Sequence, residues 1–317
     1  MSRGKRTQAS TLQVNLLREG IQESQHQVEA VVCDDRNRLL LLAGNAQRST
    51  FIRSALKPFQ ALCVTSSGVL ERYKLTEKDL AIICSSHQGS ITQARQAFNI
   101  LWRAEISPLA LQCPIPEGKT SPLEYNCSGK HAGMLATCKQ NNWSLNDYLN
   151  RSHPVQQLIL RKVAEFLAIP GAELIQARDD CGAPTYSMQL QQMAYLYAHL
   201  ASGSDLGLER IVRAMTSYPE MVAGEGAFDT ELMRLTDGTI ISKSGAEGIQ
   251  CLGRVGEGMG MAIKVIDGAR RAKYAVAIHL LKQLAWISPT IAETLADKFI
   301  NLSSQKRLDI AGELTMV

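Results

Sequence analysis

The sequence predicts an α+β protein in which both ends of the chain build an antiparallel sheet and the middle is helical. Three observations support this fold class: an alternating apolar pattern near the N-terminus, apolar residues at helical spacing in the middle, and strand-like segments after Gly224. Strand-rich, helical and again strand-rich regions in that order are typical of α+β proteins. We expect one domain over residues 1–317, with sheet-forming parts at about 25–65 and 220–285 and a helical part at about 66–219.

The N-terminal part of the predicted sheet begins with a hairpin over Gln27 to Gly44. Its first half alternates apolar and other residues, and the polar run Asp34 to Asn37 supplies the turn. The following segment, Ala55 to Thr65, has helical character with Pro58 in its first turn. The short apolar run Leu80 to Cys84 predicts a buried segment that brings the serines after it into a site.

The remaining elements follow from apolar spacing and from proline and glycine positions. Four segments predict helices of the middle region: Gln93–Ala104, Val155–Leu167, Met188–Leu200 and Leu206–Met215. Several prolines predict a long loop over Pro108 to Cys127. The C-terminal region predicts strands at Thr239–Ser242 and Met259–Ile266, followed by helices at Ala269–Leu284 and about Pro289–Ile300.

Composition excludes several functional classes. The net charge of +4, on 34 basic and 30 acidic residues, is too balanced for a nucleic-acid partner. No apolar run approaches the roughly 18 residues that span a bilayer, and the first 25 residues lack the apolar block of a signal peptide. We therefore expect a cytoplasmic protein without a membrane partner. The eight cysteines are widely spread, which predicts reduced thiols rather than disulfides.

A Ser-x-x-Lys pattern at Ser54 to Lys57 is the first candidate for catalysis. Residues three apart share one face of a helix, so the lysine amine can reach the serine hydroxyl. A serine hydroxyl becomes a good nucleophile when a base accepts its proton, and lysine can be that base if burial or a second cation lowers its pKa. The pattern alone is weak because it recurs elsewhere in the chain, and a helix N-cap is the alternative interpretation of Ser54.

Lys243 strengthens the interpretation of Ser54. Lys243-Ser244-Gly245 follows a predicted strand and occurs once in the chain. Penicillin-binding proteins and class A β-lactamases combine Ser-x-x-Lys, a middle serine element and Lys-Thr-Gly on a strand. Ser86, in the string Ser85-Ser86-His87, would be the middle serine that relays protons or holds a substrate carbonyl. The alternatives are a solvent-facing strand lysine for Lys243 and a capped turn for Ser86.

Two polar strings each carry a cysteine: Asn126–Met134 contains Cys127, and Asp179–Pro184 contains Cys181. Two thiolates are a suitable pair for a soft metal, although their spacing matches no zinc finger. Chemistry alone favours His131 as a third ligand because neutral imidazole binds zinc readily. A lysine ligand would need an already depressed pKa.

Together these strings resemble the L-asparaginase II family, a zinc-using class distinct from the threonine-nucleophile asparaginases. The resemblance runs from about residue 25 to residue 285 and implies a fold like that of serine β-lactamases and glutaminases, and a homodimer. The matching strings are Arg53–Pro58, Cys84–Gly89, Cys127–Met134, Asp179–Pro184, Phe228–Thr230, Lys243–Gly248, Ala262–Lys264 and Asp267–Gly268.

The resemblance also implies roles for individual residues. It pairs Ser54 with Lys57 and Ser86 with Lys243 as two serine–lysine tandems. It further assigns Arg53 and Asp179 to the α-carboxylate and α-amino groups of an amino-acid substrate. That assignment makes charge sense, because a free amino acid needs one partner of each sign.

The metal site implied by the resemblance differs from the one that chemistry alone favours. In the family, Cys127, Lys130 and Cys181 hold zinc and water completes the shell, which leaves His131 to contact the substrate. The family usually has Asp-Gly-Cys-Gly where this chain has Asp179-Asp180-Cys181-Gly182. The extra carboxylate of Asp180 could change metal affinity or add charge near the substrate.

We therefore expect an L-asparaginase that forms L-aspartate and ammonia through an acyl-enzyme on Ser54. Lys57 would accept the serine proton, and Ser86 and Lys243 would complete the proton relay. The alternatives are a glutaminase, another amidase or a β-lactamase-like hydrolase on the same scaffold. A non-catalytic asparagine-binding protein is a further alternative, which the presence of all four serine and lysine residues disfavours.

Overall fold

The computed structural model describes residues 7–317. Its strands are β1 (Leu12–Arg18), β2 (Ile21–Asp34), β3 (Leu39–Ala43), β4 (Ser49–Phe51), β5 (Ile175–Arg178), β6 (Pro184–Gln189), β7 (Ile240–Ser244), β8 (Ile249–Arg254), β9 (Met259–Val265), β10 (Lys306–Ala311) and β11 (Thr315–Met316).

The α-helices are α1 (Lys57–Gln60), α2 (Leu62–Thr65), α3 (Val69–Arg72), α4 (Glu77–Ile83), α5 (Ile91–Arg103), α6 (Ser128–Gln140), α7 (Pro154–Leu167), α8 (Leu190–Ser202), α9 (Leu206–Ser217), α10 (Pro219–Val222), α11 (Phe228–Leu235), α12 (Arg270–Gln283) and α13 (Pro289–Phe299). Short 3₁₀ helices cover Arg53–Leu56, Pro108–Ala110, Pro122–Glu124 and Gly171–Glu173.

The chain divides into two compact units. We call them the sheet unit and the helical unit. The sheet unit contains the chain up to Ala55, Met188–Gly203 and Glu231–Val317, and the helical unit contains Leu56–Ser187 and Ser204–Thr230. The predicted single catalytic domain over residues 1–317 stays a prediction.

The sheet unit is built on an antiparallel sheet in the order β10-β1-β2-β9-β8-β7, with β3 on β2 and β11 on β3. Strands from the two ends of the chain meet where β2 pairs with β9, in the register Val28↔Val265. This confirms the predicted α+β order and a sheet assembled from both ends. The predicted hairpin over Gln27 to Gly44 is confirmed as the pairing of β2 with β3.

The predicted sheet limits were too narrow. Strands β1 and β10 lie outside the predicted sheet-forming parts and pair with each other. Strand β1 alternates buried and more exposed residues from Leu12 to Leu16. The register shift between Leu16 and Leu17 places its extra residue, Glu23, on β2. The helical character predicted for Ala55 to Thr65 is confirmed, so the sheet-forming part given as about 25–65 extended too far. Met188 belongs to β6 rather than to the helix that follows.

Two helices of the sheet unit, α8 and α12, pack on this sheet. Helix α8 approaches β8 and β9 closely because Gly253 and Gly260 have no side chains there. A Cβ at Gly260 would collide with the backbone of α8 at Ala194 and Tyr197. This close approach brings the buried face of α8 against the strands next to β7, which carries Lys243.

In the helical unit, α4 packs against α5, α6, α9 and α10. The apolar run at Leu80 belongs to α4, which starts at a capping box formed by Thr76 and Asp79. A short apolar run cannot by itself distinguish a buried helix from another buried segment. Strands β5 and β6 form a hairpin in this unit, in the register Ile175↔Ser187.

Two sequence expectations about the whole chain can be compared with residues 7–317. All eight cysteines are free and buried, which confirms the prediction of reduced thiols. None of the helices in this range is both long enough and apolar enough to cross a membrane.

Candidate active site

Ser54 lies in the 3₁₀ turn Arg53–Leu56, directly before α1. Its neighbour Arg53 has a φ of +54°, a left-handed conformation that is costly for a residue with a side chain. Such residues persist where surrounding contacts hold them, and they cluster at functional sites. One of these contacts is the Tyr197 hydroxyl of α8, which donates to the Ala55 carbonyl over 2.8 Å. The segment that carries Ser54 is therefore held from the sheet unit's buried interior.

Lys243 lies on β7 and is 0% exposed, which excludes the alternative of a solvent-facing strand lysine. Its Nζ donates to the Ser244 carbonyl over 2.9 Å. The hydroxyls on either side are bridged by the Gln250 amide: Ser244 Oγ donates to its Oε1 over 2.7 Å, and its Nε2 donates to Ser242 Oγ over 2.9 Å. Because alternate residues of a strand share a face, this bridge fixes the strand rotation that directs Lys243 to the opposite face.

Gly245 brings the end of β7 close to the Ser54 segment within the sheet unit. A Cβ at Gly245 would lie 2.9 Å from the Ile52 carbonyl oxygen, so only glycine allows this approach. The same carbonyl accepts the Ala55 amide over 3.3 Å. Two strings that are nearly 200 residues apart in sequence, one with Ser54 and one with Lys243, are thereby packed together.

In the helical unit, Lys57 is the first residue of α1 and is 1% exposed. Its Nζ donates to Ser86 Oγ over 2.9 Å and to the Ser85 carbonyl over 2.5 Å. Ser86 is half-buried, and its amide donates to the Val222 carbonyl over 2.8 Å. The structure shows a contact between Lys57 and Ser86. The pairings of Ser54 with Lys57 and of Ser86 with Lys243, which the resemblance implies, stay predictions.

His87, next to Ser86, has both ring nitrogens engaged. Nδ1 accepts the Gly89 amide over 3.0 Å, and Nε2 lies 2.8 Å from Ser128 Oγ. The Ser128 hydroxyl donates its proton to the Leu123 carbonyl, so His87 Nε2 must be the donor to Ser128. Burial, and then the charge of Lys57, lowers the pKa of His87 to about 3. His87 is thus a neutral structural residue that links the Ser86 loop to α6.

Cys127, Lys130 and Cys181 come together in the helical unit. Cys127 and Lys130 lie at the start of α6, and Cys181 lies in the turn between β5 and β6. Lys130 Nζ donates to Cys181 Sγ over 3.1 Å, and both cysteines pack against Ala183. The turn is closed by the Asp179 amide, which donates to the Ala183 carbonyl over 2.9 Å. Two strings 54 positions apart in sequence thus supply one buried cluster.

The charges in this cluster favour one thiolate, on Cys181. The hydrogen bond from Cys127 lowers the pKa of Cys181, and the positive charge of Lys130 lowers it further. The same hydrogen bond, together with burial, raises the pKa of Cys127. Burial opposes a charge on Lys130, but the charges of Cys181 and Cys127 outweigh burial and raise its pKa. The cluster is an ion pair of one thiolate and one ammonium group.

His131 is fully buried beside this cluster. Its Nδ1 lies 2.7 Å from the Tyr148 hydroxyl. The same hydroxyl also accepts a hydrogen bond from the backbone N–H of Gln112 over 3.0 Å. The His131 Nε2 is buried and makes no hydrogen bond within normal distance, although an interaction with His131 helps to lower the pKa of Cys181. The sequence interpretation overlooked Tyr148, although Tyr148-Leu149-Asn150 has the Tyr-x-Asn form that occurs with Ser-x-x-Lys in penicillin-binding proteins. Tyr148 is 0% exposed, and its hydroxyl holds the His131 ring through its contact with Nδ1.

The donor atoms of the cluster suit zinc. No three Cys, His, Asp or Glu side chains between residues 7 and 317 are arranged as a metal site. The predicted zinc site on Cys127, Lys130 and Cys181 stays a prediction. Because the pKa of Lys130 is raised rather than lowered, its ammonium group would have to lose a proton before the nitrogen could bind a metal. The Nε2 of His131 is a further buried polar atom beside this cluster. Metal binding would release the protons that the thiol and the ammonium group carry.

The predicted substrate-binding residues lie in different parts of the chain. Arg53 and Asp179 are both half-buried, Arg53 in the turn before α1 and Asp179 at the end of the β5–β6 hairpin. Asp180 is exposed, and its amide donates to the Asp179 carboxylate over 2.9 Å. The carboxylate that departs from the family pattern thus faces solvent beside Cys181.

Several solved structures are similar to this chain. Mglu in its native form is 14% identical with a TM-score of 0.47, and Mglu in its glutamate form is 14% identical with a TM-score of 0.48. Each likeness covers 81% of this chain, and 64% and 61% of the respective Mglu chains, so the chain spans less than two thirds of their length. A β-lactamase from Mycobacterium bovis is 9% identical with a TM-score of 0.37, over 86% of this chain and 94% of that one.

Comparison with curated proteins found no match. Comparison with family models found one that covers nearly the whole chain: the model of the L-asparaginase II family matches residues 14–316. The matched range contains every predicted site residue, from Arg53 to Lys243. The chain therefore belongs to the L-asparaginase II family.

Proposed function

We propose that the protein hydrolyses the side-chain amide of L-asparagine to L-aspartate and ammonia. Membership of the L-asparaginase II family supports hydrolysis of an amide. The observation that carries the proposal is the contact of the buried Lys57 Nζ with the Ser86 hydroxyl at 2.9 Å. A lysine that is 1% exposed and bonded to a half-buried serine is suited to moving protons.

In the proposed reaction, Ser54 Oγ attacks the amide carbon and its proton passes to Lys57. The tetrahedral intermediate collapses when the nitrogen receives a proton and leaves as ammonia. Water then attacks the acyl-enzyme, and its proton returns along the same path to Ser54 as aspartate leaves. Ser86, in contact with Lys57, is the next member of the relay, and Lys243 supplies positive charge for the oxyanion.

The proposed substrate contacts follow the charges of an amino acid. Arg53 would bind the α-carboxylate and Asp179 the α-amino group. His131 would contact the substrate as an oriented imidazole, because its Nδ1 is already bound to Tyr148. The left-handed backbone of Arg53 supports a functional role, since such strain needs a compensating use.

We further propose that Cys127, Lys130 and Cys181 hold a zinc ion when it is present. Their convergence in one buried cluster supports this assignment. A bound zinc ion would supply fixed positive charge near an anionic substrate. The cytoplasmic location and the homodimer stay predictions, and sedimentation of the purified protein would measure the oligomeric state.

The test is an ammonia-release assay with asparagine and glutamine, and a β-lactam reporter in parallel, with and without added zinc. We expect turnover with asparagine. Ser54→Ala should abolish it while thermal unfolding stays unchanged. Ser303→Ala is the matched control because the exposed Ser303 and Lys306, the first residue of β10, form the same Ser-x-x-Lys pattern. Full turnover of the Ser54→Ala variant would contradict the assignment.

The remaining readouts separate the alternatives. Turnover of glutamine in preference to asparagine would identify a glutaminase, and turnover of the reporter would identify a β-lactamase-like hydrolase. Saturable binding of asparagine without ammonia release, measured by calorimetry, would indicate a binding protein.

A further inference from the structure

The turn that follows Lys243 is held by two lysines that the proposed reaction does not use. Lys273 on α12 is 3% exposed, and its Nζ donates to the Gly245 carbonyl over 2.7 Å and to the Ile249 carbonyl over 3.1 Å. Lys264 on β9 is nearly buried, and its Nζ donates to the Glu247 carbonyl over 2.5 Å. Two ammonium groups thus bind three carbonyls of one short turn between β7 and β8.

These contacts are costly to build. Burying an ammonium group is unfavourable unless it is well hydrogen-bonded, and burial lowers the pKa of Lys264. The turn itself is strained, because Glu247 has a φ of +55°. The Ile249 carbonyl accepts a second hydrogen bond, from the Gly245 amide over 2.8 Å. Lys273 therefore binds both ends of the turn, at the points where β7 ends and β8 begins.

The held turn is directly joined to the proposed catalytic residues. Gly245 is two residues after Lys243, and the space for its missing Cβ is closed by the Ile52 carbonyl. Ile52 is in turn two residues before Ser54. A shift of the turn by a fraction of an ångström would therefore move both the Lys243 strand and its contact with the Ser54 segment.

We infer that Lys273 is a positioning residue of the proposed hydrolase. It holds the Gly245–Ile249 turn so that β7 keeps Lys243 in place and Gly245 keeps its contact with Ile52. Lys264 supports the same turn from its outer side at Glu247. Lys273 itself contacts no substrate in this role. The inference rests on the proposed function for its kinetic consequence, and on the sheet unit alone for its structural one.

The test compares Lys273→Met with Lys273→Arg and with Lys282→Met. Methionine keeps the length of the side chain but removes the donor, and Lys282 is an exposed lysine on the same helix. We expect Lys273→Met to lower kcat about a hundredfold, the size typical of small misplacements of reacting groups. KM should change less than about threefold because the substrate-binding residues are untouched. Lys273→Arg should recover part of kcat, and Lys282→Met should match the wild type.

Amide hydrogen exchange gives a readout that does not depend on turnover. The Gly245 amide is bonded to the Ile249 carbonyl, so its exchange should accelerate at least tenfold in Lys273→Met and remain at the wild-type rate in Lys282→Met. A wild-type exchange rate at Gly245 in a folded Lys273→Met protein would overturn the inference. So would a wild-type kcat.

Two further outcomes remain distinguishable. If Lys273→Met does not fold, Lys273→Gln provides a polar side chain that is too short to bind both carbonyls. Unchanged kcat and unchanged Gly245 exchange in that variant would overturn the inference. If the wild type releases no ammonia from any amide, the proposed function fails. The exchange rates then decide alone whether Lys273 holds the turn.

Discussion

The Lys57 Nζ lies 2.9 Å from the Ser86 hydroxyl, although 29 positions separate the two residues in sequence. Lys57 also binds the carbonyl next to Ser86. One lysine is therefore common to the Ser-x-x-Lys string that begins at Ser54 and to the middle serine string. In the proposed reaction this contact joins the two serines into one proton path.

The first prediction concerns Lys57. Lys57→Met should lower kcat for asparagine by a factor of about 10² to 10⁴, the range for loss of a general acid–base. It should also lower the free energy of unfolding by about 1–3 kcal/mol, because the buried Ser85 carbonyl loses its donor. Ammonia release and urea unfolding measure the two effects. Lys139→Met, at an exposed lysine of α6, is the control. A kcat within threefold of the wild type would remove Lys57 from the relay.

The sequence indicates which residues are candidates for the site, but it does not indicate which of them contact each other. Ser54, Lys57 and Lys243 lie in strings whose spacing has a local meaning on a turn or a strand. The contact of Lys57 with Ser86 depends on how α1 packs near the loop after α4, and no local pattern encodes it. The same holds for Gly245 and Ile52, where the informative feature is a missing side chain.

The second prediction concerns metal binding. Cys181→Ala should remove zinc from the purified protein, since one thiolate and the ion pair with Lys130 are lost together. Zinc content by elemental analysis measures this directly, and the affinity for asparagine should fall in parallel. Cys138→Ala is the matched control because Cys138 is a buried cysteine of the same helix as Cys127. Full zinc occupancy in Cys181→Ala would place the metal elsewhere.

The third prediction concerns the carboxylate that departs from the family pattern. Asp180→Gly removes an exposed negative charge beside Cys181, so zinc affinity should weaken by no more than about fivefold, the scale of exposed charge interactions. Added salt should reduce the difference between the two proteins because it screens an exposed charge. Zinc competition with a chelator at two salt concentrations measures both. An increase in zinc affinity would mean that Asp180 opposes the metal.

The fourth prediction concerns Gly245. A Cβ there would lie 2.9 Å from both the Ile52 carbonyl and the Ile249 side chain, so Gly245→Ala must displace one of them. We expect kcat to fall at least tenfold and the free energy of unfolding to fall by about 1–3 kcal/mol. Gly171→Ala is the control, because the nearest atom to its Cβ would be Leu160 Cγ at an ordinary 3.4 Å. Equal kcat values for the two variants would show that the position of the turn at Gly245 does not affect catalysis.

The predicted elements agree with the structure where the sequence shows a single clear hydrophobic periodicity. The hairpin of β2 and β3 was predicted because its alternation is regular and its turn is polar. The run at Leu80 was not recognised as helix because it is too short to display a helical period, and the evidence lay before it, in the capping box of Thr76 and Asp79. Strand β1 was missed although its residues alternate between buried and more exposed from Leu12 to Leu16. Its polar residues Gln13 and Asn15 lie on the more exposed face, as expected for a strand with one buried face.

The last prediction concerns the pH dependence of stability. The pKa of His87 is about 3 in the folded protein and near 6.5 in an unfolded chain. Between these values the unfolded state binds a proton that the folded state does not bind. The free energy of unfolding therefore falls as pH drops from about 6.5 toward 3, by up to about 1.4 kcal/mol per pH unit.

His87→Asn removes this dependence along with the hydrogen bond to Ser128. The variant should be less stable than the wild type at pH 7.5, and the difference should narrow by about 2 kcal/mol at pH 5. Urea unfolding at several pH values measures it. Leu167→Ala leaves a cavity beside α7 but keeps every titrating group. Its free energy of unfolding should therefore be lower than that of the wild type by the same amount at every pH. If the free energy of unfolding of His87→Asn varies with pH in the same way as that of the wild type, His87 is protonated in the folded protein. Its hydrogen bonds to Gly89 and Ser128 would then not keep the ring neutral.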